Sequence, residues 1–184
     1  MSFLKKIQER FSSNTVVENP QPVVQAPVIK HEFCNFETAY RIGLLSLHTE
    51  QDVVNEYKKK LEKMGFEVDA LLYIDSQEPV PGLFLPTYNF EDLDKRTLLP
   101  NSPRTDRFSI KRFDLLFNLY FKPYPQLVHV SNMSYAKCRV GPYIDNIKEY
   151  VDLMMPMDQV RTIQDLIETI NTILKLKPYE RKLD

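Results

Sequence analysis

The stretch FDLLFNLYFKPYPQLVHVSNMSYAKCRVGPY, Phe113 to Tyr143, decides the fold because it holds a strand, a helix and a second strand in one continuous run. Asp114 to Leu119 reads DLLFNL, an apolar segment with charge before it and proline after it. That pattern suits a strand buried on both faces of a parallel sheet. Pro123 and Pro125 can open a helix whose Leu127, Val128, Val130 and Met133 face the sheet, since proline is tolerated in a first helical turn. Lys137 to Gly141 returns as the next strand, which completes one parallel crossover unit.

The same grammar extends to both sides. Tyr40 to Leu47 is a strand by its apolar run, and Thr49 with Asp52 three residues on reads as an acidic variant of the capping box. Val53, Val54, Tyr57, Leu61 and Met64 form a buried helical stripe, Lys58, Lys59 and Lys60 lie mostly outside it, and Gly65 supplies a left-handed stop. Phe66 to Ile74 is the second strand, and its crossover is expected to be right-handed. Tyr150 to Met155 forms a further strand. Thr162 then caps a last helix with Ile163, Leu166, Ile167, Ile170, Ile173 and Leu174 at helical spacing, and Pro178 lies past its end. Alternating strands and helices predict an α/β fold, a three-layer sandwich with a mostly parallel, doubly wound, Rossmann-like sheet. The segment Asp75 to Arg107 resists this reading, with five prolines and one candidate short strand near Leu83 to Leu85. A loop of that length is either functional or a misread element.

Ahead of the domain, Phe3, Leu4, Ile7 and Phe11 share one helical face while Lys5, Lys6 and Arg10 lie on others, so residues 1–12 form a basic amphipathic helix. At about 11 residues it is too short to hold alone and orders on contact. That contact is its own domain, a second copy of the chain in a homo-oligomer, or an unknown protein, ribosomal or membrane surface. Residues 13–35, with Pro20, Pro22 and Pro27, read as a linker extended by its prolines. Two Val-Val pairs there could add an edge contact to the sheet, although the composition favours disorder. The periodic core lies within 36–177, and 178–184 is a tail.

Composition removes several classes of function. The 24 basic residues nearly cancel the 25 acidic ones, so global charge makes no case for nucleic acid, and no sequence-specific nucleic-acid binding is expected. Cys34 and Cys138 belong to no C-x-x-C pair, which suits free thiols in a reducing compartment. No stretch approaches the ~20 apolar residues of a membrane span. Charges inside Phe3 to Phe11 also spoil a signal-peptide core. The expectation is a cytoplasmic protein, peripheral at a membrane or ribosome if the N-terminal helix docks there.

Absent motifs narrow the chemistry further. With only Gly43, Gly65, Gly82 and Gly141, neither G-x-G-x-x-G nor G-x-x-x-x-G-K-[ST] can be written, so a backbone cradle for pyrophosphate is not expected. There is no H-E-x-x-H, no G-x-S-x-G and no cysteine-histidine spacing for zinc. No catalytic residue, metal ligand or cofactor is therefore assigned, and His31, His48 and His129 read as surface or packing histidines. Parallel sheets nonetheless bind ligands beyond the carboxyl ends of their strands. That rule selects Thr49, Asp75, Asn118, Tyr120, Arg139, Gly141 and Tyr143 as candidate crevice residues, with Ser46, His48 and Ser76 beside them. Each has a structural alternative: Thr49 as a cap, Asn118 satisfying backbone, Arg139 pairing a carboxylate.

The segment from Asp114, a D-L-L-x-[DN]-L strand followed by a short helix and A-K-x-R-V-G, resembles the matching part of the N-terminal half of heptosyltransferase-type glycosyltransferases. It is similar also to an uncharacterised family of small α/β proteins of Bacteroidota, which share K-x-R-V-G-x-Y (Lys137, Arg139, Val140, Gly141, Tyr143) and a following Tyr-x-Asp-Leu-Met (Tyr150, Asp152, Leu153, Met154) over about residues 36–175. The first likeness implies the fold. It does not imply transferase activity, because those enzymes place the nucleotide-sugar site in a second α/β domain that this chain is too short to contain. Asn118 also stands where an acidic residue often ends the central strand, and an amide cannot act as a general base. The reading is thus a non-catalytic binding or interaction protein, associating peripherally through its N-terminal helix. The alternatives are a small enzyme or ligand sensor with a strand-end crevice, and a glycosyltransferase-like half-domain needing a partner.

Overall fold

Six strands and four α-helices make up the computed structural model, which describes residues 30–76, 78–144 and 150–179. The expected helix over 1–12 and most of the expected linker lie outside the described residues. In chain order the elements are β1 (Arg41–Leu47), α1 (Gln51–Lys63), β2 (Glu67–Tyr73), β3 (Thr87–Tyr88), α2 (Pro103–Ser109), β4 (Leu115–Leu119), α3 (Pro125–Asn132), β5 (Cys138–Pro142), β6 (Leu153–Met155) and α4 (Ile163–Ile173). All strand pairings of the described sheet are parallel, in the order β3-β2-β1-β4-β5-β6. This is a doubly wound sheet whose direction of growth reverses between β1 and β4.

Register sorts the apolar runs into two cores. Ile42 pairs with Leu115 and Leu44 with Phe117, while Phe117 pairs with Val140 across β5. These residues face one side with Val54, Tyr57 and Leu61 of α1 and Leu166, Ile167 and Ile170 of α4. Leu45, Leu71, Tyr73, Leu116 and Tyr120 face the other side, against Phe108 of α2 and Leu127 and Val130 of α3. Every residue of β4 is buried, as a central strand covered on both faces requires. The three layers expected from the alternation are present.

Ahead of β1, residues 30–39 run along the bottom of the sheet. Phe36 is fully buried and meets Phe66 and Phe117 edge to face at 5.5 and 6.0 Å between ring centroids. Burial of such a ring contributes roughly 1.5–3 kcal/mol. At the other terminus Tyr179 packs on Tyr40 and Phe66, and its amide donates to the Met64 carbonyl.

Two local expectations are corrected. The chain enters α1 through a 3-10 turn, His48–Glu50, with no side-chain cap at either Leu47 or Glu50. Thr49 sits inside that turn and so cannot act as a cap. Gly65 does stop the helix, at φ 96°. In the unreadable segment the strand is β3, just past the expected Leu83 to Leu85, followed by a 3-10 turn over Phe90–Asp92 and then by α2. Both helical turns carry complete capping boxes, Asn89 with Asp92 and Ser102 with Thr105. A two-residue strand shows no period, and capping residues looked like loop composition.

Candidate functional site

The two ends of this sheet are built differently. At the end where the strands begin, the Asp114 carboxylate accepts from the Tyr40 and Arg41 amides at 2.9 and 3.0 Å and from Lys137 Nζ at 2.7 Å. Asp152 accepts from the Arg139 amide at 2.7 Å and from its guanidinium at 3.0 and 2.8 Å, with His31 Nδ1 3.1 Å away. Arg41 pairs with Glu67, and Lys111 with Asp69. Burial alone would raise the carboxyls of Asp114 and Asp152. The hydrogen bonds from backbone and cationic side chains outweigh it and hold both below the usual range.

Several expected site residues are taken up by contacts within the sheet. Arg139 is 6% exposed and committed to Asp152 in a bidentate pair, at the second position of β5 rather than beyond it. Asn118 is fully buried, its amide nitrogen donating to the Val140 carbonyl at 3.4 Å and its oxygen accepting from Tyr120 at 3.3 Å. Gly141 packs so closely on Asn118 that a Cβ there would stand 3.0 Å from the asparagine Cβ. Lys137, Arg139 and Gly141, the heart of the K-x-R-V-G signature, therefore serve to hold β4, β5 and the Asp152 segment together. Tyr143 lies half exposed past β5, its amide bound to the Met155 carbonyl.

At the opposite end, beyond the carboxyl ends of β1, β2 and β4, the polar groups are open. Ser46 is an exception, since its buried hydroxyl donates to the Leu119 carbonyl at 2.6 Å and ties β1 to β4 where the order reverses. His48 Nδ1 lies 3.3 Å from the Tyr73 carbonyl. A carbonyl cannot donate, so this nitrogen carries the proton, and in the neutral ring Nε2 is left as an acceptor. Asp75, two residues past β2, is half-buried, with no hydrogen bond or ion pair among the described residues. Burial raises its carboxyl, and the charges of His48 and Lys122 only partly oppose this. Burial also lifts the Tyr73 phenol to about 12 and pushes up that of Tyr124, and the Asp75 charge adds to both. Four groups from three strand ends, His48, Lys122, Tyr73 and Tyr124, thus share an electrostatic interaction with Asp75. His48 and Asp75 follow from the strand-end rule. Lys122 and Tyr124 were missed because Lys-Pro-Tyr-Pro reads as a helix start.

Next to this cluster a cavity of about 480 Å³ opens beyond β2 and β3, lined by Ile74, Ser76, Glu78, Pro79, Val80 and Phe90 among others. Under its floor the fully buried Tyr88 ring lies 5.1 Å from that of Tyr73, its hydroxyl without a hydrogen-bond partner among the described residues. The first turns after β1 carry Glu50 and Asp52 and no glycine. A phosphate there would meet like charge where dinucleotide-binding folds offer a glycine turn and a bare helix N-terminus. Among the described residues no cluster of histidine, cysteine, aspartate and glutamate could hold a metal ion, and no helix is long and apolar enough to cross a membrane.

The model of DUF6913, a family of unknown function, matches residues 21–176. No curated protein and no solved structure matches the chain. The family match carries neither a taxonomic assignment nor a glycosyltransferase likeness.

Proposed function

The chain belongs to that family, and we propose that it is a non-catalytic binding protein whose small-molecule ligand enters the crevice where the strand order reverses. One observation carries this reading: Asp114 and Asp152 at the start of the strands are paired, whereas Asp75, half-buried at their carboxyl ends, has no hydrogen-bond or ion-pair partner among the described residues. Ligands of open parallel sheets bind at that end. A carboxylate kept partly desolvated without a partner is a standing cost to the fold, which a ligand would relieve.

The chemistry of the ligand follows from what faces it. Asp75 is an acceptor, so the ligand brings donors, either hydroxyls or an amine, with an apolar part for Ile74, Val80 and Phe90. The acidic first turn after β1 disfavours nucleotide phosphate. Binding is favoured over turnover because the central strand offers only the amide of Asn118, already bonded at both ends.

A thermal-shift screen of amines, polyols and nucleotides tests this, since binding to the native state raises stability by mass action. We expect a shift from a hydroxyl-rich or amine ligand that Asp75→Asn removes. A screen in which only nucleotides shift the melting point, or none does, overturns the reading. Peripheral association in the cytoplasm through Phe3, Leu4, Lys5, Lys6, Ile7, Arg10 and Phe11 is the second reading, supported by their amphipathic basic pattern.

A further inference from the structure

Cys34 and Cys138, distant in the sequence, are neighbours in the fold. The segment before β1 runs past the start of β5, where the Glu32 amide donates to the Lys137 carbonyl at 3.0 Å and His31 meets Asp152. One residue beyond Lys137, Cys138 opens β5; two beyond Glu32, Cys34 turns into the same core. Both are buried free thiols in the one core cluster under α1 and α4. The Glu32–Lys137 hydrogen bond holds the two backbone segments side by side and both thiols turn into one core, the arrangement a disulfide between them needs.

We propose that Cys34 and Cys138 are a redox pair that closes into a disulfide in the presence of a low-molecular-weight disulfide, fastening the segment before β1 to β5. In the first step one protein thiolate attacks a sulfur of the oxidant RSSR and expels RS⁻. The second thiolate then attacks the protein sulfur of that mixed disulfide and expels the other RS⁻. The protein loses two electrons and two protons, and RSSR becomes two RSH. Burial pushes both thiols up, so the thiolate fraction is small at neutral pH and the reaction is slow, accelerating as pH rises. Access requires the segment to lift locally. The described backbone hydrogen bonds from its first part are few, Glu32 to Lys137 and Phe36 to Leu174. The bond would therefore fasten the described segment before β1 to β5, independently of any ligand in the crevice.

The test uses the reduced full-length chain with excess oxidised glutathione at pH 8, sampled over hours, acid-quenched, and read by intact mass and by thiol count in denaturant. We expect a mass lower by about 2 Da, for the two hydrogens lost, a thiol count falling from two to zero, a higher melting temperature and full reversal by dithiothreitol. Cys34→Ser and Cys138→Ser should each leave one thiol, end as a glutathione adduct and show no rise in melting temperature. Two free thiols persisting in the wild type, glutathione adducts without an internal bond, or a bond between chains would each overturn the proposal. So would an internal bond that forms only in denaturant, which would mean that the fold holds the thiols apart.

Discussion

The start of the strands and their carboxyl ends are made from the same residue types and treated in opposite ways. At the start, Asp114 and Asp152 gather backbone amides, Lys137, Arg139 and His31 until both carboxylates are saturated. At the carboxyl ends Asp75 is left without a hydrogen-bond or ion-pair partner among the described residues, with His48 and Lys122 close enough to act on its charge. The difference teaches where this fold places stability and where it leaves chemistry open: one end is closed by pairing, the other stays available to a ligand.

The largest effect should come from opening the closed end. Asp152→Ala leaves Arg139, 6% exposed, without its carboxylate. Removing one partner of a buried pair costs about 3–5 kcal/mol, and here the lower figure applies because Asp152 retains some exposure. Urea unfolding should show a clearly lower midpoint with an unchanged slope. A loss below about 1 kcal/mol would mean that the pair behaves like a surface bridge, and the comparison between the two ends would weaken.

Gly141→Ala follows. The new methyl would sit 3.0 Å from the Asn118 Cβ on the neighbouring strand, with the Asn118 carbonyl at 3.4 Å, so β4 and β5 must part slightly. Overpacking of this kind costs about 1–3 kcal/mol. The loss should be seen by thermal melting. Stability equal to wild type would show that the glycine is not required by packing, and would reopen a functional role for the signature.

Much of this was legible before the structure and some was not, for identifiable reasons. The runs Asp114 to Leu119 and Tyr40 to Leu47 announced buried parallel strands because a central strand needs apolar residues on both faces. The helix ending at Gly65 announced itself by period and stop. By contrast β3 is too short to show a period, and Thr49, with its acidic neighbour, copies a cap that the 3-10 turn does not use. A carboxylate partner for Arg139 was among the expectations, but that it is Asp152, and that Gly141 packs on Asn118, depends on proximity in space, which sequence spacing does not reveal. The same holds for Cys34 beside Cys138. For the candidate site, the strand-end rule found Asp75 and His48 but not Lys122 or Tyr124.

A smaller effect, with opposite sign, should mark the open end. The Asp75 carboxyl is raised in the folded protein, so its contribution is present below the unfolded value near 4 and is lost as pH rises through the folded value. Asp75→Asn escapes that loss and should equal or exceed wild type at pH 7, by on the order of 0.5 kcal/mol or less given its exposure. Asp114 and Asp152 are lowered instead, so their contribution is present above the unfolded value and is lost as pH falls through the folded one. Melting curves of wild type and Asp75→Asn should therefore converge at acid pH, where both weaken, and separate toward neutrality. An Asp75→Asn protein less stable than wild type at pH 7 would show that the carboxylate has a stabilising partner after all.

The smallest effect on the fold, and the sharpest division between the two readings of function, should come from Phe3→Asp with Ile7→Asp. Buried in a partner, these side chains would contribute on the order of 1.5–3 kcal/mol each, whereas Lys5, Lys6 and Arg10 would chiefly set the salt dependence. If peripheral association is real, the double variant leaves its membrane or ribosomal fraction at moderate salt while its melting temperature, and any ligand shift in the crevice, stay as in wild type. Unchanged fractionation would remove the support for the N-terminal reading and leave the open end of the sheet as the place where this protein acts. A large fall in melting temperature would instead show that the segment docks on its own domain, and the apolar face would then belong to the fold rather than to a partner.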